Sequence, residues 1–383
     1  MAENKVPTNI ERLSDLIDLE VEDGTEVEIE EPLAPNGEVS VELSDAGEAQ
    51  VNYFPDEDPM GEVPFDANLA EHLDDTDLGR IANDLIGEFE EDRSSRSEWE
   101  EAYVKGLELL GFKYEERDRP FPGASGVTHP LLAESITQFQ AQAFKELLPP
   151  KGPVKTRVMG DETPETEDQA RRVQEFMNYQ ITTVMEEYTP EMDQLLFYLP
   201  LAGTAFKKVY YDASKQRAVS TFVPVEDLVV PYTASDLATC ERITHIVKMT
   251  YNEVRTQQLA GFYRDIPLQP AETNIANDPK DKEDELEGIR PGANEMLYEL
   301  LEFHVSTDVP GFEDPDGFHL PFIITVDRTS GQVLSIRRNY RPDDPLKRKI
   351  QYFVHYKFLP GLGFYGFGLI HMIGGLSRTA TGA

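Results

Sequence analysis

The residues whose types could do chemistry are a basic cluster, two glycine-rich runs, scattered histidines and several paired acids. Arg337, Arg338, Arg341, Lys347, Arg348 and Lys349 gather around Tyr340 and Tyr352. Such a cluster can meet DNA phosphate or an acidic neighbour. It can equally pair with the chain's own acids, within one copy or between copies. Gly361-Leu362-Gly363 and Gly366-Phe367-Gly368 lack the following Lys-Ser/Thr and the preceding buried strand of a phosphate loop. The seven histidines, His72, His129, His245, His304, His319, His355 and His371, include no pair at metal-ligand spacing. Glu186-Glu187 and Asp343-Asp344 could serve as a glycosidase pair, yet among 72 acids such adjacency is expected by chance. Ser125, in Gly123-Ala124-Ser125-Gly126, is out of register with a nucleophile elbow. These patterns predict no catalytic residue, no metal site and no cofactor.

Charge narrows the field further. The 383 residues carry 35 Lys+Arg against 72 Asp+Glu, a formal charge of −37, which argues against a phosphate-gripping surface spread over the whole molecule. Residues 1–80 hold 24 acids and three bases, so −21 of that charge is N-terminal and −16 belongs to the remainder. Cys240 is the sole cysteine, which excludes an internal disulfide and a cysteine-based zinc cluster and fits a reducing cytosol. Neither a signal peptide nor an eighteen-residue apolar run is present, so secretion and membrane spanning are not expected.

Around these residues the sequence predicts an α+β fold, with a helical first half packed on a β-rich second half behind a disordered acidic tail. The tail is set at 1–74. Its Glu-, Pro- and Gly-rich text from Val21 to Ala67 buries too little to offset ordering entropy, although alternation around Asp23-Gly24 suggests a hairpin that orders on a partner. Residues 75–200 are helical. Leu78, Ile81, Leu85 and Phe89, then Trp99, Tyr103, Leu107 and Leu110, recur at three- and four-residue spacing, with a break expected in Glu90 to Arg96. Further helices are expected over Leu131 to Leu148, Pro164 to Glu187 and from Pro190. Residues 201–362 read as strands: a hairpin at 203–223, then 225–230, 242–249, 298–305, 321–327, 333–338 and 351–358, with a short helix at 252–259. A polar stretch at 267–292 has no apolar period and is expected to be a mobile insertion. Residues 363–383 begin a further helix, and the end at Ala383 within it predicts a truncated or split product.

At Arg119-Pro120-Phe121-Pro122-Gly123-Ala124-Ser125-Gly126-Val127-Thr128-His129-Pro130-Leu131 the sequence resembles the portal, or head-to-tail connector, proteins of tailed bacteriophages, the short-tailed type especially. The likeness continues through Ala133 to Leu148 with Leu148-Pro149-Pro150, Glu167 to Glu187, Leu201 to Lys207, Val223 to Leu228 and Gly363 to Ile370. It covers most of residues 78–383. The resemblance implies a homo-oligomeric ring, usually of twelve subunits, at the portal vertex of the virion, assembled in the bacterial host cytoplasm. Through such a ring double-stranded DNA is packaged and ejected without sequence-specific binding. Major capsid protein, terminase and tail or adaptor proteins are its implied partners, and no membrane is involved. Of the wing, stem, clip and crown regions, this chain matches the wing and stops where the stem would begin, so no channel-lining or terminase-binding residue is carried over.

A strongly acidic chain suits a conduit along which DNA must slide, because each neutralised phosphate adds affinity. Two alternatives are an adaptor that binds a basic partner through the acidic N-terminus and, resting on carboxylate density alone, an acidic hydrolase. Within the ring reading, Trp99, Phe121 and Pro122 are the expected packing or subunit contacts, as large aromatics beside a rigid Pro-Gly arm.

Overall fold

The computed structural model describes residues 40–43, 49–52, 63–111, 128–212, 215–269, 282–283, 286, 297–315, 317–361 and 363–382. They fall into two compact units, Met1–Gly61 and Glu62–Ala383. In the first, β1 (Ser40–Leu43) pairs antiparallel with β2 (Ala49–Asn52), Val41 opposite Val51. This hairpin lies inside the stretch expected to be disordered, and the one expected at 19–30 lies outside the described residues. The second unit starts at Glu62 rather than at residue 75, and its first residues are structural, with Leu69 and Ala70 fully buried.

The helices follow the apolar spacing. Helix α1 (Asp75–Ser95) opens where the Asp74 carboxylate accepts from Asp77 N at 2.8 Å, and it buries Leu78, Ile81, Leu85 and Phe89 on one face. The expected break falls at Arg96, whose backbone leaves the helical region before α2 (Ser97–Leu107) resumes and buries Tyr103 and Leu107. Helix α3 (Leu131–Leu147) starts after Pro130. Helix α4 (Pro164–Tyr179) has a capping box between Thr163 and Thr166 and proline at its first position. It ends in a π-helical turn, Gln180–Val184, earlier than the periodicity implied. Helix α5 (Tyr188–Ala202) stops at Gly203, whose φ of 87° is left-handed.

The described strands of the second unit form two antiparallel sheets. One runs β5 (Leu228–Val229), β6 (Arg242–Thr250), β7 (Leu297–Thr307), β8 (Leu320–Asp327) and β9 (Val333–Arg338) in sequence order, with α6 (Tyr251–Leu259) after β6. The other places β3 (Thr204–Asp212) between its hairpin partner β4 (Arg217–Val223) and the distant β10 (Phe353–Lys357), with His355 opposite Phe206. Helix α7 (Leu369–Gly382) closes the described chain.

Helical and β-rich parts share one core. Tyr103 and Leu107 of α2, Leu132 and Ile136 of α3, Phe206 of β3, Ile243 of β6, Phe353 of β10 and Ile370 of α7 lie in a single cluster. Each such side chain contributes about 1.5–3 kcal/mol on burial, so the division near residue 200 separates layers and not independent folds. The insertion expected to be mobile has a described part, the helical residues Lys282, Glu283 and Leu286. Leu286 packs on that cluster, and Lys282 pairs with Glu108 at 3.3 Å, so these residues dock on the core.

Candidate functional site

The basic cluster sits at the end of β9 and in the loop after it, where most of its charge is taken up inside the unit. Arg337 donates from Nη1 to the Asp66 carbonyl at 2.7 Å and from Nη2 to those of Gly261 and Phe262 at 3.2 and 3.1 Å, and it lies 4.2 Å over the Phe262 ring. Arg338 donates to the carbonyls of Pro64 and Phe65 at 3.2 and 2.9 Å. A planar guanidinium fork suits paired carbonyls in this way. Beside them Asn68 bridges β9, donating to the Leu334 carbonyl at 3.1 Å and accepting from Ile336 N at 3.0 Å. The edge strand is thereby sealed by the incoming chain. Lys347 pairs with Asp314 at 2.6 Å and Arg348 with Asp344 at 2.8 Å. Lys349 donates to the Cys240 carbonyl at 2.6 Å, and burial lowers its pKa. Only Arg341 and Arg348 are exposed. Of the partners open to these six residues, the chain's own carbonyls and carboxylates occupy most of the donors.

Trp99 likewise makes its ring contacts inside the unit. Its indole stacks between Tyr103 at 5.4 Å and Tyr365 at 5.2 Å, with Nε1 buried and without a hydrogen-bond partner. These are packing contacts within the unit, and Trp99 stays partly exposed. Phe121 and Pro122 lie outside the described residues.

Two segments that carry the portal resemblance, Leu201–Lys207 and Gly363–Ile370, cross in close contact, and Gly366 N donates to Thr204 Oγ1 at 2.7 Å. A Cβ on Gly203 would lie 2.3 Å from Gly368 N, and one on Gly368 would lie 2.3 Å from the Leu201 carbonyl oxygen. Glycine is required on both sides of this crossing.

Two buried polar clusters escaped the sequence reading. In the first, Arg96 donates to the carbonyls of Val225, Glu226 and Leu228 at 2.9, 2.7 and 2.8 Å and pairs with Glu100 at 2.8 Å. Next to it Tyr198 Oη lies 2.5 Å from Glu226 Oε1 and 2.6 Å from Glu283 Oε1, while Tyr103 donates to Glu283 at 3.0 Å. Burial, reinforced by the Glu283 charge, holds Glu226 well above the usual carboxylate range. The second cluster ties the two sheets together. Lys208 of β3 donates to both oxygens of Glu302 on β7, at 2.6 and 2.8 Å, and His304 lies 2.7 Å from the same carboxylate. Burial opposes the Glu302 charge, but the Lys208 ammonium and His304 outweigh it and hold the carboxyl well below its ordinary value. Burial also drives His245, 3.9 Å from Glu302, down to about 3. Glu226 and Glu302 sit in apolar strand-like text that reads as core, so their partners, far away in sequence, were the missing signal.

Both clusters are held inside the unit, with Glu226 and His304 each 2% exposed. Lys207, lowered to about 8 by burial, is only 2% exposed and lies against Tyr188. An open groove of about 680 Å³ runs between α1 and the β6–β7 end of the larger sheet. Within its charged lining Arg242 pairs with Glu88 and Asp92, Arg80 with Asp77, and His319 with Asp308. Among the described residues no group of three or more His, Cys, Asp or Glu side chains could hold a metal ion, and no helix is long and apolar enough to cross a membrane.

What remains conspicuous is an outer apolar face. Helix α4 buries none of its residues, yet it carries Val173, Phe176, Met177 and Tyr179, with Phe176 59% exposed. Asn178 on the same helix fixes the preceding segment, accepting from Val154 N at 2.9 Å and donating to the Val154 carbonyl at 3.1 Å. Comparison with known proteins gives no match, either to a protein family or to a curated protein.

Proposed function

We propose that this chain is a subunit of a portal-type, homo-oligomeric ring that conducts double-stranded DNA at a virion vertex and serves as a platform for terminase and tail proteins. The observation that carries the reading is the face of α4. A helix with four large apolar side chains open to water and none buried is stable in a partner's company, each side chain contributing about 1.5–3 kcal/mol when covered. A second copy of the chain is the partner this reading assigns. The occupied basic cluster supports it too, because a wall with few open cations and a strong negative charge lets DNA pass without holding its phosphates. The glycine crossing between Leu201–Lys207 and Gly363–Ile370 joins two of the segments through which the sequence resembles portals.

Sedimentation of the intact chain and of Phe176→Glu tests the proposal. The expected result is an assembly for the intact chain and a shift to smaller species for the variant, which keeps its circular dichroism spectrum because Phe176 is exposed in the single chain. An assembly indifferent to the substitution would remove α4 from the interface. A monomeric intact chain would remove the ring.

A further inference from the structure

The contacts around Tyr198 fix a proton count. Its hydroxyl oxygen lies 2.5 Å from Glu226 Oε1 and 2.6 Å from Glu283 Oε1, and each of these distances requires a hydrogen between the two oxygens. A phenol has one hydrogen to give. It can serve one carboxylate, and the other carboxyl must bring its own. The surroundings decide which. Glu283 Oε1 also accepts from Tyr103 at 3.0 Å, as suits an ionised acceptor. Glu226 is 2% exposed, its Oε2 is buried without a hydrogen-bond partner, and Asp227 follows it in the chain. An ionised carboxylate with one oxygen buried and unpaired is the costlier arrangement.

We propose that Glu226 is protonated at neutral pH and donates to Tyr198, which donates to Glu283, so that one bound proton fastens Lys282, Glu283 and Leu286 onto helices α2 and α5. The inference is independent of the portal reading. Among the described residues the titratable groups that face the site are Tyr103 from α2, Tyr198 from α5, Glu226 and Asp227 from the turn before β5, and Glu283 from the insertion. Arg96 is engaged with the carbonyls of that turn and with Glu100, and Lys282 with Glu108. The high folded-state pKa of Glu226, raised by burial and by Glu283, agrees with the geometry.

Undocking frees Glu226 to lose its proton. The docked-to-released ratio is therefore expected to fall about tenfold for each pH unit between the released and docked pKa values of this group. The test is amide exchange at Lys282, Glu283 and Leu286 across pH 6 to 9 (roughly the accessible range, corrected for intrinsic exchange) in the intact chain and in Glu226→Gln. The Gln amide donates to Tyr198 without a titrating proton, so protection in the variant is expected to be independent of pH while the parent loses it as pH rises. Equal pH dependence in both would overturn the proposal. Should the variant fail to fold, infrared spectra of the parent at neutral pH decide: a protonated-carboxyl carbonyl band that shifts in heavy water is expected, and its absence overturns the proposal.

Discussion

At the scale of residues, ionisable groups held inside the core set how stability responds to pH. His245 and His355 are driven by burial to about 3 and about 4, below the ordinary 6.5. A depressed histidine binds fewer protons folded than unfolded, so its stabilising neutral form is fully in force above pH 6.5 and is lost as pH falls towards the folded value. Each contributes a slope of about 1.4 kcal/mol per pH unit in that window. Glu226, raised by burial, acts in the opposite sense, with stability present below its ordinary 4.5 and lost as pH rises through its folded value. Urea midpoints are therefore expected to climb from pH 5 to about 6.5 and to fall beyond it, with the fall absent in Glu226→Gln. A midpoint that keeps rising above neutrality would contradict this assignment. The same buried setting makes Lys208→Met costly. It leaves Glu302 charged and uncompensated between the two sheets, and a loss of about 3–5 kcal/mol is expected in urea unfolding.

At the scale of elements, the edge strands β9 and β4 are met by side chains. Asn68 satisfies β9 from one side, and Glu187 and Glu191 accept from Ser220 N at 3.3 Å and from Phe222 N at 2.6 Å on β4. Asn68→Ala would leave a buried carbonyl and a buried N–H unpaired, and about 1–3 kcal/mol of stability should disappear. Removing residues 1–61 should leave the unfolding midpoint of the remaining unit nearly unchanged, whereas removing residues 1–74 should lower it sharply, since Leu69, Ala70 and Asn68 go with the longer deletion. Equal midpoints for the two deletions would sink that boundary. Much of this architecture was legible beforehand. The spacing of Leu78, Ile81, Leu85 and Phe89 marks α1, and the strand-like text marks the β3–β4 hairpin and the places of β6 to β9, though not their order in the sheet. Illegible were the pairing of β10 with β3, the return of Glu283 to Tyr103 and Tyr198, and the carbonyl partners of Arg337 and Arg338. Each is a long-range contact, and local periodicity records which face is buried without recording against what. The basic cluster shows the consequence, since pairing within the chain could be expected from its charge, but the carbonyls of residues 64–66 could not be named as the partners.

At the scale of the whole molecule, a portal-type ring requires self-association. A net charge of −37 opposes the approach of identical copies, so an assembly would have to be held by apolar contact such as the α4 face, and it should tighten as salt screens the repulsion. Dissociation on adding salt would argue for ionic contacts instead. The most direct measurement is the native mass of the purified chain by light scattering, with negative-stain images of the same fraction. Closed rings of many subunits are the predicted result, and a clean monomer at every concentration would contradict the account.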